Sequence, residues 1–129
     1  MEHSRSTVVL IEPEPGVRDA LTLLLAGEKW QVCTADGCDG LAAALENHDV
    51  LAVISESTLP ECAPTDILEQ CNRHHLPVIF TGHDLSLQKA VDLIRQGAAD
   101  FLDKPFSQSR LVNLLEQLDK DRGEVMSTQ

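Results

Sequence analysis

The stretch that decides the fold is Val50-Leu-Ala-Val-Ile54, which is apolar at every position. A strand with one face in water alternates apolar and polar residues, whereas a strand of a parallel sheet is covered on both faces and is apolar throughout. The runs at 7–11 and 77–81 are similarly rich in β-branched residues. The sequence therefore predicts buried parallel strands with a layer of helices on each face of the sheet.

Helices are predicted between these runs, wherever apolar residues recur at intervals of three or four. The predicted strands are 7–11, 30–35, 50–54, 77–81 and 99–102, and the predicted helices are 15–26, 39–46, 65–73, 85–96 and 107–119. In the fourth helix, Leu87, Val91 and Ile94 are expected to face inward. Because strand and helix alternate five times with short loops, we expect an open α/β sheet.

One domain is expected to account for residues 1–129, with a core of about 7–119 and polar tails at both ends. A chain of 129 residues is close to the usual size of a domain. Aromatic residues make up only 3% of the chain, so the core is expected to be aliphatic. The tail from Asp121 onward is expected to be frayed.

The formal net charge of −11 excludes several classes of partner for this domain. Nucleic acids and anionic membranes both require a basic surface, so direct binding to either is not expected. The apolar runs are too short to cross a bilayer, and the first residues lack the leader of a secretory signal. We therefore expect a cytoplasmic domain whose partners are proteins.

Four cysteines are present, at 33, 38, 62 and 71, and no two form a Cys-x-x-Cys pair. In a cytoplasmic protein they are expected to be reduced thiols. Cys33 and Cys71 occupy apolar positions and are predicted to be small core residues. A zinc site built from cysteines with His74, His75 or His83 is the alternative, but the ligand spacing does not support it.

Polar and charged residues follow four of the predicted strands. In an open α/β sheet, ligands bind beyond the carboxyl ends of the strands, so these loops are the candidate site. The loops contain Glu12, Pro13 and Glu14 after the first strand, Ser55, Glu56, Ser57 and Thr58 after the third, Thr81, Gly82 and His83 after the fourth, and Asp103 and Lys104 after the fifth.

Several short motifs, in this order and at this spacing, resemble those of the response-regulator receiver (CheY-like) family. They are Leu59-Pro60 after the third strand, Thr81-Gly82 at the end of the fourth, Gly97-Ala-Ala-Asp-Phe101 at the fifth, and Lys104-Pro105-Phe106 after it. The resemblance extends over about 7–118. It implies a flavodoxin-like, doubly wound sheet with strand order 2-1-3-4-5.

The resemblance also implies roles for the strand-end residues. In this family an aspartate at the end of the third strand accepts a phosphoryl group, and two acidic residues after the first strand hold Mg²⁺. A Thr or Ser and a Lys contact the phosphoryl oxygens. Thr81 and Lys104 match these two positions, Glu56 stands at the acceptor position, and Glu12 and Pro13 stand where the acidic pair is expected.

Two departures from the family pattern predict a degenerate site. The Glu56 side chain is one methylene longer than that of Asp, so its carboxylate oxygens lie further out. A displacement of a reacting atom by ~1 Å can cost about a hundredfold in rate. Pro13 has no side-chain ligand, which leaves Glu12, or Glu14 through water, as a doubtful metal ligand. Bound Mg²⁺ is therefore expected to be weak or absent. The alternative is a phosphorylation-competent receiver with altered metal coordination.

Glu56 and Lys104 are expected to form either a plain salt bridge or a contact that imitates the activated site. Thr81 and Phe101 match the residues of the family switch, although Phe101 also suits ordinary core packing. Ser57 is expected to line the site beside Glu56.

The expected function is a non-enzymatic signalling module that binds a histidine kinase or an output domain. The family commonly uses the face formed by residues 85–119, which is compatible with a homodimer here. A flavin binder is the other hypothesis on this architecture, but a loop with the sequence Glu12-Pro-Glu-Pro offers negative charge and few amide donors to a phosphate. No cofactor is expected.

Overall fold

The computed structural model describes residues 6–83 and 86–127, with side chains described as far as residue 123. Strands and helices alternate along the chain. They are β1 Thr7–Ile11, α1 Pro15–Gly27, β2 Gln31–Thr34, α2 Cys38–Asn47, β3 Val50–Glu56, α3 Pro64–Arg73, β4 Val78–Gly82, α4 Leu87–Arg95, β5 Asp100–Asp103 and α5 Gln108–Ser127.

The five strands form one parallel sheet in the order β2-β1-β3-β4-β5. The predicted α/β class, the doubly wound parallel sheet and the strand order are therefore confirmed. The central strand β3 is buried from Val50 to Ser55, as its continuous apolar run indicates. Only its last residue, Glu56, is partly exposed, because it lies at the carboxyl edge of the sheet.

Helices cover both faces of the sheet, and the sheet separates the core into two clusters. On one face α2, α3 and α4 pack around Phe80. On the other face α1 and α5 pack around a cluster that includes Trp30, which is only 3% exposed. Both clusters are dominated by Val, Leu and Ile, each of which contributes about 1.5–3 kcal/mol when fully buried. No helix in the described part of the chain is both long and apolar enough to cross a membrane.

The last helix is longer than predicted, since α5 extends to Ser127 rather than ending near Asp119. The prediction of a frayed tail from Asp121 is wrong because Arg122 is anchored. Its Nη2 lies 2.6 Å from Asp49 Oδ1, and its Nη1 donates a hydrogen bond of 3.2 Å to Ser6 Oγ. These contacts tie α5 to the residues that directly precede β1 and β3, at the amino edge of the sheet.

The predicted inward face of α4 is wrong at Leu87 and Ile94, while Val91 is partly buried. Leu87 is 80% exposed and Ile94 is 47% exposed, whereas Leu93 is buried. The helix begins at Leu87 because Ser86 caps it, with Ser86 Oγ accepting a hydrogen bond from Lys89 N. Leu85, where the helix was predicted to begin, lies outside the described residues. Two large apolar side chains of α4 therefore face solvent.

The expectation of four reduced thiols is wrong, because Cys38 and Cys62 form a disulfide with a Cα–Cα distance of 5.8 Å. These residues are 24 positions apart, and the fold brings the start of α2 against the loop between β3 and α3. Cys71 is fully buried, and this burial raises the pKa of its thiol to about 12. Cys33 is partly buried and packs against the same core cluster, so both are core residues as predicted.

Gly97 is a position where the backbone requires glycine, since its φ is +116° and an added Cβ would lie 3.2 Å from Asn72 Oδ1. We expect Gly97→Ala to lower the free energy of unfolding by about 1–3 kcal/mol, measured by urea denaturation. Gly27→Ala is the matched control, because no atom lies within 4 Å of its added Cβ. A Gly97→Ala variant as stable as Gly27→Ala would contradict this assignment.

Candidate functional site

Four polar side chains meet at the carboxyl edge of the sheet because parallel strands all end there. Glu12 directly follows β1, and Glu56 is the last residue of β3. Glu56 is in register with Thr81 of β4, and Lys104 directly follows β5. The sequence-predicted residues from four separate loops are thus brought to one place.

Lys104 lies between two carboxylates at the centre of this site. Its Nζ is 2.6 Å from Glu12 Oε1 and 2.9 Å from Glu56 Oε2. The three side chains are nearly closed to solvent, with exposed fractions of 6% for Lys104, 2% for Glu12 and 11% for Glu56. We call Glu12, Glu56 and Lys104 the ion triad.

Hydrogen bonds hold the carboxylates of the ion triad from other directions. Thr81 Oγ1 donates to Glu56 Oε2 over 3.2 Å, and the backbone N–H of Glu14 donates to Glu12 Oε2 over 3.2 Å. Arg18 Nη1 also donates to the backbone oxygen of Glu12, which fixes the loop after β1. Both carboxylate oxygens of Glu12 are therefore engaged.

Lys104 remains charged in spite of its burial. Burial alone lowers the pKa of Lys104, but hydrogen bonds to Glu12 and Glu56 and the negative charges of both carboxylates outweigh it. The net direction is a pKa raised above the ordinary value of 10.5. With one cation and two carboxylates, the ion triad has a net charge of −1 when all three groups are ionised.

The other predicted site residues lie around the ion triad. Pro13 and Glu14 are exposed, and Glu14 contributes its backbone N–H rather than its carboxylate. Ser57 is buried and its backbone N–H donates to the backbone oxygen of Thr81 over 2.8 Å. The Ser57 Oγ has no hydrogen-bond partner. Phe101 is partly buried against the core cluster beneath α2, α3 and α4, in register with Phe80.

The pairing of Glu56 with Lys104 was anticipated from the sequence, but the shorter contact between Glu12 and Lys104 was not. The sequence predicts that Glu12 lines the site and is a doubtful metal ligand, not that it pairs with Lys104. The signal available in the sequence was Pro13, since the loss of one acidic neighbour leaves Glu12 free to face the lysine. Among the described residues, no three His, Cys, Asp or Glu side chains are grouped so as to hold a metal ion.

The family model of the response regulator receiver domain matches residues 8–116. The chain belongs to this family. Among solved structures, the receiver domain of a LuxO repressor protein from Vibrio parahaemolyticus superposes with a TM-score of 0.84 over 95% of this chain and 98% of that one, at 23% identity. The receiver domain of NtrX from Brucella abortus superposes with a TM-score of 0.80 over 88% of this chain and 98% of that one, at 26% identity.

Two curated relatives of this receiver domain are transcriptional regulatory proteins. FixJ of Bradyrhizobium diazoefficiens is 29% identical over 117 residues, which are 88% of this chain and 56% of that protein. DctD of Pseudomonas aeruginosa, a regulator of C4-dicarboxylate transport, is 38% identical over 116 residues, which are 85% of this chain and 24% of that protein. The chain thus spans 56% of the length of FixJ and 24% of the length of DctD.

Removing the cation of the ion triad is expected to destabilise the receiver domain. Lys104→Met leaves Glu12 and Glu56 as uncompensated buried carboxylates, and we expect a loss of about 3–5 kcal/mol in the free energy of unfolding. Arg110→Met is the matched control, because its ion pair with Asp100 is largely exposed and is worth about 0–1 kcal/mol. Urea denaturation at neutral pH measures both.

The triple variant Lys104→Met, Glu12→Gln and Glu56→Gln separates charge from packing. It removes both buried negative charges together with the cation, so part of the lost stability is expected to return. If Lys104→Met costs no more than Arg110→Met, the ion triad does not support the fold.

Proposed function

We propose that this receiver domain is a signalling module of the two-component type that acts mainly through protein–protein contacts, with a degenerate phosphoacceptor site. The observation that carries the proposal is the ion triad, in which Lys104 is shared between Glu56 and Glu12. Receiver function is supported by the family match over residues 8–116. A catalytic role is not part of the proposal.

Glu56 is poorly placed to act as a phosphoryl acceptor. An acceptor carboxylate must approach phosphorus in a near-attack geometry, and the extra methylene of Glu56 displaces its oxygens outward. Glu56 Oε2 also accepts contacts from both Lys104 Nζ and Thr81 Oγ1. In the family these two groups contact the phosphoryl oxygens. Here the Glu56 carboxylate already binds Lys104 Nζ and Thr81 Oγ1, the groups that a phosphoryl group would need.

The residues at this edge do not fit the Mg²⁺ ion that receiver domains normally bind. Mg²⁺ requires near-octahedral oxygen coordination, with one or two carboxylates supplied by the protein. Pro13 supplies no side-chain oxygen, and both Glu12 oxygens are engaged, by Lys104 Nζ and by the Glu14 amide. We therefore propose that Mg²⁺ binding is weak or absent.

The same contacts support a second part of the proposal, that Glu56 imitates the charged, activated site. Lys104 and Thr81 already contact a carboxylate oxygen in the resting protein. In this hypothesis the Thr81 hydroxyl is held inward by Glu56, and Phe101 packs in one conformation of the switch. The contact between Glu56 and Lys104 would then hold the domain in a constitutive state.

The degenerate site predicts a specific response to metal and phosphodonor. Purified protein treated with acetyl phosphate and Mg²⁺ is expected to gain no phosphoryl mass, and Mg²⁺ is expected to leave its melting temperature unchanged. The double variant Pro13→Asp and Glu56→Asp restores the family ligands, so we expect Mg²⁺ at about 100 times its Kd to stabilise it by roughly 2–3 kcal/mol.

Mass spectrometry and differential scanning calorimetry are the measurements. The Glu56→Asp single variant controls for side-chain length without restoring the metal ligand at Pro13. A Mg²⁺-dependent rise in the melting temperature of the unmodified protein would contradict the proposal, and a stable phosphoryl adduct would establish the alternative function of a phosphorylation-competent receiver.

We also propose that partners bind the face formed by residues 85–119, of which 86–119 are described. Leu87 is 80% exposed and Ile94 is 47% exposed on α4, and exposed large apolar side chains favour protein contacts. A homodimer, a histidine kinase and an output domain are the proposed occupants, and the regulators FixJ and DctD support the setting of transcriptional control. The cytoplasm is the proposed compartment.

Self-association through α4 is expected to depend on Ile94. We expect Ile94→Asp to weaken dimerisation by at least about tenfold in Kd, since a charge would replace an apolar contact residue. Leu23→Asp is the matched control, because Leu23 is 76% exposed on α1, which covers the opposite side of the sheet from α4. Sedimentation velocity over a range of protein concentrations measures both variants.

The same assay tests whether Glu56 imitates an activated site. Glu56→Gln removes the charge that holds Lys104 and Thr81, so the imitation hypothesis expects a changed dimer Kd. Equal dimer Kd values for Glu56→Gln and unmodified protein would contradict that hypothesis and leave only a structural salt bridge.

A further inference from the structure

The disulfide between Cys38 and Cys62 is placed beside the candidate site. Cys62 lies in the β3–α3 loop, residues 57–63, which directly follows Glu56 at the end of β3. Cys38 is the first residue of α2, on the same face of the sheet. The bond therefore ties the loop next to the ion triad to a neighbouring helix.

Noncovalent contacts also hold this loop, since Cys62 belongs to the core cluster covered by α2, α3 and α4 and Leu59 packs against that cluster. Ser57 N donates to the Thr81 oxygen at one end, and Leu59 and Cys62 form an isolated antiparallel bridge within the loop. The Ser57 hydroxyl is buried without a partner. The loop also lines a cavity of about 510 Å³ against α4, in which Cys62 and Leu59 face Lys89 and Leu93. The disulfide is thus the covalent support of one wall of this cavity.

The two halves of the disulfide differ in access and in chemistry. Cys38 is partly exposed, whereas Cys62 is 7% exposed, so Cys38 is the half of the bond that lies nearer to solvent. As the first residue of α2, Cys38 lies at the positive end of a ten-residue helix, and no side chain caps that end. The helix dipole at such a position stabilises a thiolate, which favours the release of Cys38 from its mixed disulfide with the reductant, although Asp39 in the same turn adds an opposing negative charge.

We propose that the Cys38–Cys62 bond is a reversible modification site for a dithiol reductant. A thiolate of the dithiol attacks Cys38 Sγ, forming a mixed disulfide, and the electron pair of the broken bond leaves on Cys62 Sγ, which takes up a proton. The second thiol of the dithiol then attacks the dithiol's first sulfur, which is bonded to Cys38 Sγ in the mixed disulfide. This step releases Cys38 as a thiolate. The protein gains two electrons, and the dithiol becomes a disulfide.

The remaining cysteines do not compete for this exchange. Cys71 is fully buried and its raised pKa keeps it a neutral thiol, which is a poor nucleophile. The compartment supplies the reductant, and this step rests on the cytoplasmic location proposed above. Disulfides in reducing compartments are rare, and those that form are usually transient or redox-sensing.

Reduction is expected to release the loop at 57–63 while the sheet stays folded. The 129-residue chain is equilibrated with mixtures of reduced and oxidised dithiothreitol and then denatured and alkylated with a maleimide. Oxidised protein is expected to carry two accessible thiols, Cys33 and Cys71, and reduced protein four. Return to oxidised dithiothreitol is expected to restore two, and amide hydrogen exchange in 57–63 is expected to rise about tenfold or more on reduction.

Variants keep the test specific. Cys38→Ser and Cys62→Ser are each expected to show the faster loop exchange in either mixture, and Cys33→Ser is expected to behave as the unmodified chain does. If either bond variant fails to fold, the reduced unmodified chain still reports on the loop. None of these measurements involves Mg²⁺, phosphate or oligomeric state, so they can fail independently of the proposed function.

Three outcomes would overturn the proposal. One is four alkylated thiols in every mixture, which means that no bond forms. Another is a bond that stays closed in the native protein in excess reduced dithiothreitol, which would make it a purely structural disulfide. The third is unchanged hydrogen exchange in 57–63 after reduction.

Discussion

A buried lysine between two carboxylates sets the constraints on this receiver domain. Taking three charged groups out of water is costly, and the cost is recovered only if the charges are paired and hydrogen bonded. Lys104 meets both requirements, because it contacts Glu12 and Glu56 while Thr81 and the Glu14 amide satisfy the carboxylates from other sides. Each partner comes from a different strand end, so the ion triad together with Thr81 joins β1, β3, β4 and β5 at one edge.

This arrangement explains why one position can change the character of the whole site. An acidic side chain at Pro13 would add negative charge and favour a divalent cation beside the lysine. With proline there, the one positive charge is shared by the two glutamates. In the structure Lys104 forms salt bridges with both glutamates, and this arrangement is the basis of the proposal that the site is degenerate.

The fold was accessible from the sequence because its signals are local. The apolar run at 50–54 indicates burial on both faces, and residues placed just after the strands meet at one edge in any parallel sheet. That rule was sufficient to group Glu56, Thr81 and Lys104. The strand order came from the family resemblance, because hydrophobic pattern alone does not order parallel strands.

The features that were missed depend on contacts between distant segments. Cys38 and Cys62 are 24 residues apart, and their proximity follows only from the packing of α2 against the loop after β3. The contact between Glu12 and Lys104 spans 92 positions. On α4, a helical pattern of apolar residues predicted an inward stripe, but the orientation of the helix puts Leu93 inward and leaves Leu87 in solvent.

The division of the core into two faces has a spectroscopic consequence. Trp30 is the only tryptophan of the chain, and the chain has no tyrosine. Trp30 lies in the cluster covered by α1 and α5. Intrinsic fluorescence therefore observes one side of the sheet, while the disulfide and the β3–α3 loop belong to the other. Emission from Trp30 is a selective probe of the α1–α5 layer. Changes confined to the opposite layer are not expected to alter the tryptophan fluorescence.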